Sequence, residues 1–543
     1  MPILNINNKQ VVLPNYDYSE KYWPLLSKLI YAEIGDTEIK EPVKVEALLM
    51  KCFKKLCGIL DEKITSEKRA SFFIFCKNLH EDSIELWLLQ TQNKSLGINE
   101  EDFAASRRIL KIILEQSTKI ELKGCPNFEN EINVNIDLYT TYLEELLYIG
   151  TWCYTLSEFI ARSQLFPNST GISIEDSELN ILTHQPYPEL FSFIFHELPK
   201  HNSNVVLSDS MIEFKEIIKD NYGVTYDDLA QFINQQIIQP QYRFGITKLD
   251  GLIDEITNEL NCNAEFVRDF YSGLTVNKSN CLPIENCIYN NQNENRHIFR
   301  PILELSIDGE IYNIIGHHKW LESMTLLSTN SFPFGLFPTE WKKHKKLKKF
   351  IHKIDNTHDK LLENPISEIL NEKNILNDSN LESFVQPNGI NINIKDDIGD
   401  IDILFIDEEF KLIYVCECKH NRSRFDMNNW KRDYKNFKDT YESQLTRKKE
   451  WANCNKDIIQ THFECTKNID IDLSKYDVRG IFIINAPTVY MFNGAFRAFT
   501  IKNIIELVNR EYVDVKFEFT NEDTKEKNII EYPYFDNVRL KYE

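Results

Sequence analysis

Cysteine is present but unpatterned. The 12 residues are scattered and no two form a CxxC pair, so neither a zinc ribbon nor a disulfide framework is indicated, and the chain is expected in a reducing cytoplasm. Glycine is scarce, 17 in 543 residues, and no GxxxxGK[ST] loop occurs, which argues against a built-in nucleotide motor. Long uncharged apolar runs are missing too. The most apolar helix candidate, Tyr142 to Ala161, is interrupted by Glu144, Glu145 and Glu158, and the opening MPILNINNKQVV has no basic region before an apolar stretch. Neither a membrane span nor a signal peptide is expected.

Positive charge is also short, with a net −21 that repels a polyanion unless cations gather locally. They do gather. Trp341 to Lys353 holds seven lysines and no acid, and Lys419 to Lys449 holds ten Lys or Arg against four Asp or Glu. These segments carry +7 and +6, leaving −34 elsewhere. Either alone reads as a solvated helix face. Together they suggest a phosphate-facing surface, with Lys342, Lys345, Lys346, Lys349, Lys431 and Arg432 as contacts.

The 42% hydrophobic and 12% aromatic content suffices for packing, and 543 residues exceed one core, so two or three domains are expected. Residues 1–280 read mainly as helices: in EDFAASRRILKIILEQ, Phe103, Ile109, Leu110 and Ile113 recur at helical spacing. This part is expected to be a sensor or oligomerisation region. Residues 281–350 read as an Asn-rich loop, a β-hairpin around Asp308-Gly309 and a basic linker. Residues 351–510 read as helix, three strands, helix, strand, and 511–543 as a strand-rich extension. The whole is a multi-domain α/β protein.

The chemistry concentrates in GDIDILFIDEEFKLIYVCECKH, residues 399–420. Two strands joined by Asp407-Glu408-Glu409 are expected here. Alternation puts Ile413, Val415, Glu417 and Lys419 on one face of the second strand, and Leu412, Tyr414, Cys416 and Cys418 on the other. Both faces are apolar up to Glu417. Charges ending such a strand cost stability unless something compensates, and Mg²⁺ held by Glu417 and Asp402 is a natural compensation. The plainer alternative is a strand-end ion pair with Lys419, and Cys416 and Cys418 are most simply packing thiols. HELPKH, residues 196–201, lacks the spacing of a zinc-protease helix and contains Pro199.

Asp402 followed by Glu417-Cys418-Lys419 resembles the PD-(D/E)XK nuclease superfamily, the restriction-endonuclease-like fold, over about Asp355 to Phe499. The resemblance implies that Asp402, Glu417 and the main-chain carbonyl of Cys418 hold Mg²⁺, for which Mn²⁺ can substitute, and that Lys419 orients the attacking water. Glu363, with Glu368 in reserve, corresponds to the helix glutamate of such enzymes. Tyr441 and Gln444 resemble the Y-x-x-Q-L feature of the RecB-like branch. The family's literal Pro-Asp is absent, Ile401 preceding Asp402. The implied function is Mg²⁺-dependent phosphodiester hydrolysis, with DNA as the favoured partner, a homo-oligomer, and an anti-phage effector role awaiting a trigger or protein partner. Two alternatives stay open: an inactive nuclease-fold binding protein and a partner-docking scaffold.

Overall fold

The computed structural model describes residues 3–92, 95–124, 128–202, 209–237, 243–357, 359–387, 389–394, 397–422, 424, 426–520 and 525–542. They form a mixed α/β protein of two compact units. Unit 1 is drawn from Met1–Gln164, Thr170–Leu182 and Asp209–Asp355, and unit 2 from Leu165–Ser169, Thr183–Ser208 and Asn356–Glu543. Among the described residues no helix is long and apolar enough to cross a membrane. Every described cysteine is free.

The core of unit 1 is laid down by α1 (Ala70–Thr91), α2 (Glu100–Ser117) and α3 (Phe128–Leu165). Asn99 starts α2 by accepting the amide N–H groups of Glu101 and Asp102, and Phe103, Ile109, Leu110 and Ile113 are all buried. Gly150 lets α3 approach closely, since a Cβ there would come within 2.8 Å of the Ile109 side chain. The hairpin forms as β1 (Ile302–Ile307) and β2 (Glu310–Gly316). Asp308 and Gly309 have φ of 51° and 83°, the left-handed pair that a two-residue turn requires. With Glu121–Leu122, Phe244–Thr247 and Thr275–Val276 these strands make a five-stranded sheet. It leads directly into α4 (His317–Asn330).

The segment expected as a basic linker is instead part of unit 1. In α5 (Lys345–Thr357), Leu347, Phe350 and Ile351 recur at helical spacing and join Trp341, Phe214 and Trp320 in the core. Lysine abundance had hidden that stripe. Lys342, Lys345, Lys346 and Lys349 lie on the exposed face.

In unit 2, α6 (Glu363–Glu372) precedes a sheet built on β3 (Asn377–Leu381), β4 (Ile401–Asp407), β5 (Leu412–Lys419), β6 (Asp477–Ile484) and β7 (Arg497–Thr500). The sheet runs in that order, antiparallel from β3 to β5 and parallel from β5 to β7. Between β5 and β6 lie α7 (Met427–Asn436) and α8 (Glu442–Cys454), and α9 (Ile501–Val508) follows β7. One face of β5, with Leu412, Tyr414, Cys416 and Cys418, packs in a core with Leu362, Ile366, Leu370 and Ile504. On the other face Ile413 and Val415 are equally buried, and α8 packs on β5 and β6.

Two further pieces belong to unit 2 that composition assigned elsewhere. The helix Tyr187–Glu197 brings Phe195 within 4.7 Å of the Trp430 ring and Phe193 within 5.1 Å of Phe517 and 5.5 Å of Tyr534. The C-terminal stretch, a hairpin of Phe517–Thr520 with Lys527–Ile530 followed by the helix Tyr534–Tyr542, is therefore tied into this unit by aromatic packing. The expected boundaries at 280, 350 and 510 give way to one crossing at Asp355/Asn356 and two earlier excursions, through 165–169 and 183–208.

Candidate active site

Strand register brings the two acids together. Ile403 pairs with Cys416 and Leu404 with Val415, so one further step sets Asp402 opposite Glu417, on the face shared with Leu404, Val415 and Ile413. Both side chains are buried, at 8% and 4% exposure. Asp402 Oδ2 accepts the main-chain N–H of Cys418 at 2.6 Å, which fixes the carboxylate across the strand pair. Lys419 Nζ lies 2.9 Å from Glu417 Oε1 and 4.9 Å above the Tyr441 ring.

A second ammonium completes the group. Lys448, buried on α8, donates from Nζ to Asp402 Oδ1 at 3.2 Å and to Glu417 Oε2. Glu417 thus carries one ammonium on each oxygen. Burial, then the neighbouring Glu417, pushes the Asp402 carboxyl up to about 6, against the opposing pull of Lys448 and the Cys418 N–H. The Lys448 ammonium is raised in turn, because its two carboxylates outweigh its burial.

Tyr441, Gln444 and Lys448 stand three and four residues apart and line one face of the helical segment over the carboxylates. Tyr441 closes a wide π-helical turn, Phe437–Tyr441; such turns recur at functional sites. The Gln444 side-chain oxygen is buried and has no hydrogen-bond partner among the described residues. An unpartnered buried acceptor is costly.

Glu363 and Glu368 fare differently. Glu363 opens α6 and is buried, whereas Glu368 is exposed. Burial drives the Cys418 thiol well above its ordinary range, and Asp402, Cys416, Glu363 and Glu417 add to it in that order. Three carboxylates therefore act on one buried sulfur. Among the basic candidates, Arg432 Nη2 donates to Asn429 Oδ1 at 2.6 Å and neighbours Asp433, whose carboxyl burial raises to about 6. Lys431 is half-buried on α7, and Lys342, Lys345, Lys346 and Lys349 belong to unit 1.

Among the described residues no three His, Cys, Asp or Glu side chains converge tightly enough to hold a metal ion by themselves. The donor pair Asp402 and Glu417 nevertheless suits a hard divalent cation: both carboxylates are aimed at one point, the point that the Lys448 ammonium touches. Mg²⁺ commonly takes only one or two carboxylates and fills its remaining positions with water and substrate phosphate. Lys448 is the member that the sequence did not single out. Its signal was the spacing to Tyr441 and Gln444, within a basic run that offered nine other cations.

A comparison with known protein families, curated proteins and solved structures finds no match to this chain.

Proposed function

We propose that unit 2 is a metal-dependent nuclease of PD-(D/E)XK type that hydrolyses phosphodiester bonds, with DNA the favoured substrate. The observation that carries this reading is the meeting of Asp402 and Glu417 across two buried strands, beside Lys419 and beneath Tyr441, Gln444 and Lys448. Burying two carboxylates side by side is expensive decoration for a strand end, and a carboxyl raised by burial and a like charge, as Asp402 is, is characteristic of working sites. The order of helix and antiparallel strands followed by parallel ones, with the acids on the second and third strands, supports the same reading.

In this proposal Asp402 and Glu417 hold Mg²⁺ or Mn²⁺, joined by the Cys418 carbonyl. The ion supplies Lewis-acid polarisation of the scissile phosphate and a water of lowered pKa. Lys419 orients that water and offsets charge on the phosphate, held in place by Glu417 and the Tyr441 ring. Gln444 offers its unpartnered oxygen to the water or the substrate. Lys448 neutralises the carboxylate pair until a cation of higher charge takes over. Glu363 contributes charge from the α6 side. The proposal extends to an anti-phage effector triggered by a partner, by architectural analogy with unit 1 as the large appended region, and to a homo-oligomer, because nucleases cutting two strands often pair their sites.

The ion pairs that Lys448 makes favour a second reading, an inert scaffold whose acids are fully compensated. One experiment separates the two. Plasmid and oligonucleotide DNA are incubated with the protein in Mg²⁺ or Mn²⁺, with EDTA, and with folded Glu417→Ala and Lys419→Ala. The nuclease reading expects cleavage that EDTA and both substitutions remove; intact DNA throughout selects the scaffold.

A further inference from the structure

Unit 1 contains a polar interior that the nuclease reading does not use. Arg107, Lys111 and Glu115 follow one another at four-residue spacing and stack along one face of α2. Lys77, His80 and Glu81 face inward from α1, Arg296 and His297 from the loop before β1, and Lys319 and Glu322 from α4. His80 and His297 are 1% and 0% exposed, and Lys77, Glu81, Glu115, Arg296 and Lys319 are buried with them.

Most of these charges are paired. Glu81 accepts from Lys77 Nζ at 2.8 Å and from the main-chain N–H groups of His318 and Lys319 at 2.8 and 3.2 Å, so it also caps α4. Glu115 accepts from Arg296 Nε at 2.8 Å. Glu322 accepts from Lys319 Nζ at 2.6 Å and Arg107 Nη2 at 3.3 Å. Five basic groups against three carboxylates leave two basic groups over. Lys111 is the unmatched one, with no hydrogen bond or ion pair among the described residues. Burial lowers its pKa to about 7, and Lys319, Arg107 and Arg296 add to the effect against the pull of Glu322.

Unsatisfied atoms point the same way. Arg107 Nε, His80 Nδ1 and His297 Nε2 are buried without a hydrogen-bond partner among the described residues. His297 Nδ1 lies 2.8 Å from the Arg300 carbonyl and donates to it. With burial and the nearby lysines keeping the ring neutral, Nε2 is a bare acceptor. At the outer end of the same two helix faces, Trp87, Gln90, Glu100, Phe103 and Arg107 line an open groove of about 660 Å³. That is ample for a small ligand. The Arg107 guanidinium lies 4.9 Å from the Trp87 ring, leaving the indole 37% exposed.

We propose that unit 1 binds a phosphate group, free or on a small phosphomonoester, between α1 and α2, with the phosphate on Arg107 and Lys111 and any ligand body on Trp87 and Phe103. A phosphomonoester carries close to two negative charges at neutral pH, which would hold Lys111 protonated and match the two basic groups left over, and its oxygens accept the charge-assisted hydrogen bonds that Arg107 Nε and Lys111 lack among the described residues.

The test titrates the full-length protein, by calorimetry and thermal shift, with inorganic phosphate, AMP and adenosine at matched ionic strength. AMP is expected to bind about tenfold or more tighter than phosphate, and adenosine not at all. Trp87→Ala should lower the affinity for AMP and spare that for phosphate; equal affinities for AMP and phosphate would assign the site to the free anion. Lys111→Met removes an unmatched ammonium and should fold, and it should weaken both anions about tenfold or more. The proposal is overturned if the wild-type protein responds to neither anion beyond chloride, or if Lys111→Met binds them unchanged.

Discussion

Lys448 reaches both acids of unit 2, lying 3.2 Å from Asp402 Oδ1 and in contact with Glu417 Oε2. An ammonium held by two buried carboxylates occupies the place where a divalent ion would neutralise the same pair, and its removal has a definite sign. In Lys448→Met both acids lose a buried counter-charge, at a cost of about 2 to 4 kcal/mol near pH 7.5. The cost should shrink near pH 5, where the Asp402 carboxyl takes up a proton instead. Urea denaturation at the two pH values measures it.

Asp402 sets a pH dependence of its own. Its carboxyl is raised from 3.8 to about 6 in the folded chain. A raised acid stabilises the folded state below the unfolded value, and that contribution is lost as pH rises through about 6. The displacement corresponds to about 3 kcal/mol. Asp402→Asn keeps an oxygen for the Cys418 N–H and should therefore match or exceed wild-type stability at pH 7.5. Thermal unfolding from pH 4 to pH 8 should also be flatter in the variant, and a steeper profile would contradict this assignment.

Gln444 buries an oxygen that has no partner among the described residues. Replacing it by leucine should leave stability unchanged or raise it by about 1 kcal/mol, since the cost of the orphan acceptor is removed. The same substitution should lower cleavage. Stability gained with function lost is the mark of a group kept for chemistry, and a loss of stability would identify a structural amide instead.

The lysines of α5 are legible as a charge run but not as a fold element. Trp341, Leu347, Phe350 and Ile351 sit beneath them and hold the helix in unit 1. If Lys342, Lys345, Lys346 and Lys349 contact phosphates, replacing all four by alanine should weaken DNA binding and reduce the slope of log Kd against log salt by about 3 to 4. An unchanged slope would remove these residues from the interface.

The strands of unit 2 could be read directly, because Asp402, Glu417 and Lys419 interrupt long apolar stretches and alternation fixes which face each side chain takes. The hairpin at Asp308-Gly309 was equally plain, since so short a turn needs residues that accept positive φ. Lys448 was hidden among ten cations; only its partners 31 and 46 residues away, Glu417 and Asp402, distinguish it from a solvated lysine. Arg107, Lys111 and Glu115 escaped notice for a related reason. The apolar stripe of α2 explains the helix, and the charged face acquires meaning only when 296–322 folds against it. The attachment of Tyr187–Glu197 to unit 2 depends on aromatic partners more than 200 residues distant, Trp430 and Phe517, beyond the reach of local pattern.

Calorimetric titration of Mn²⁺ into wild-type protein, Asp402→Ala and Glu417→Ala, run beside DNA cleavage by the same samples, addresses the nuclease reading most directly. One site that both substitutions weaken about tenfold or more, with cleavage lost in step, is the expected result. Cleavage that persists in folded Glu417→Ala, or Mn²⁺ binding that ignores both carboxylates, would contradict it.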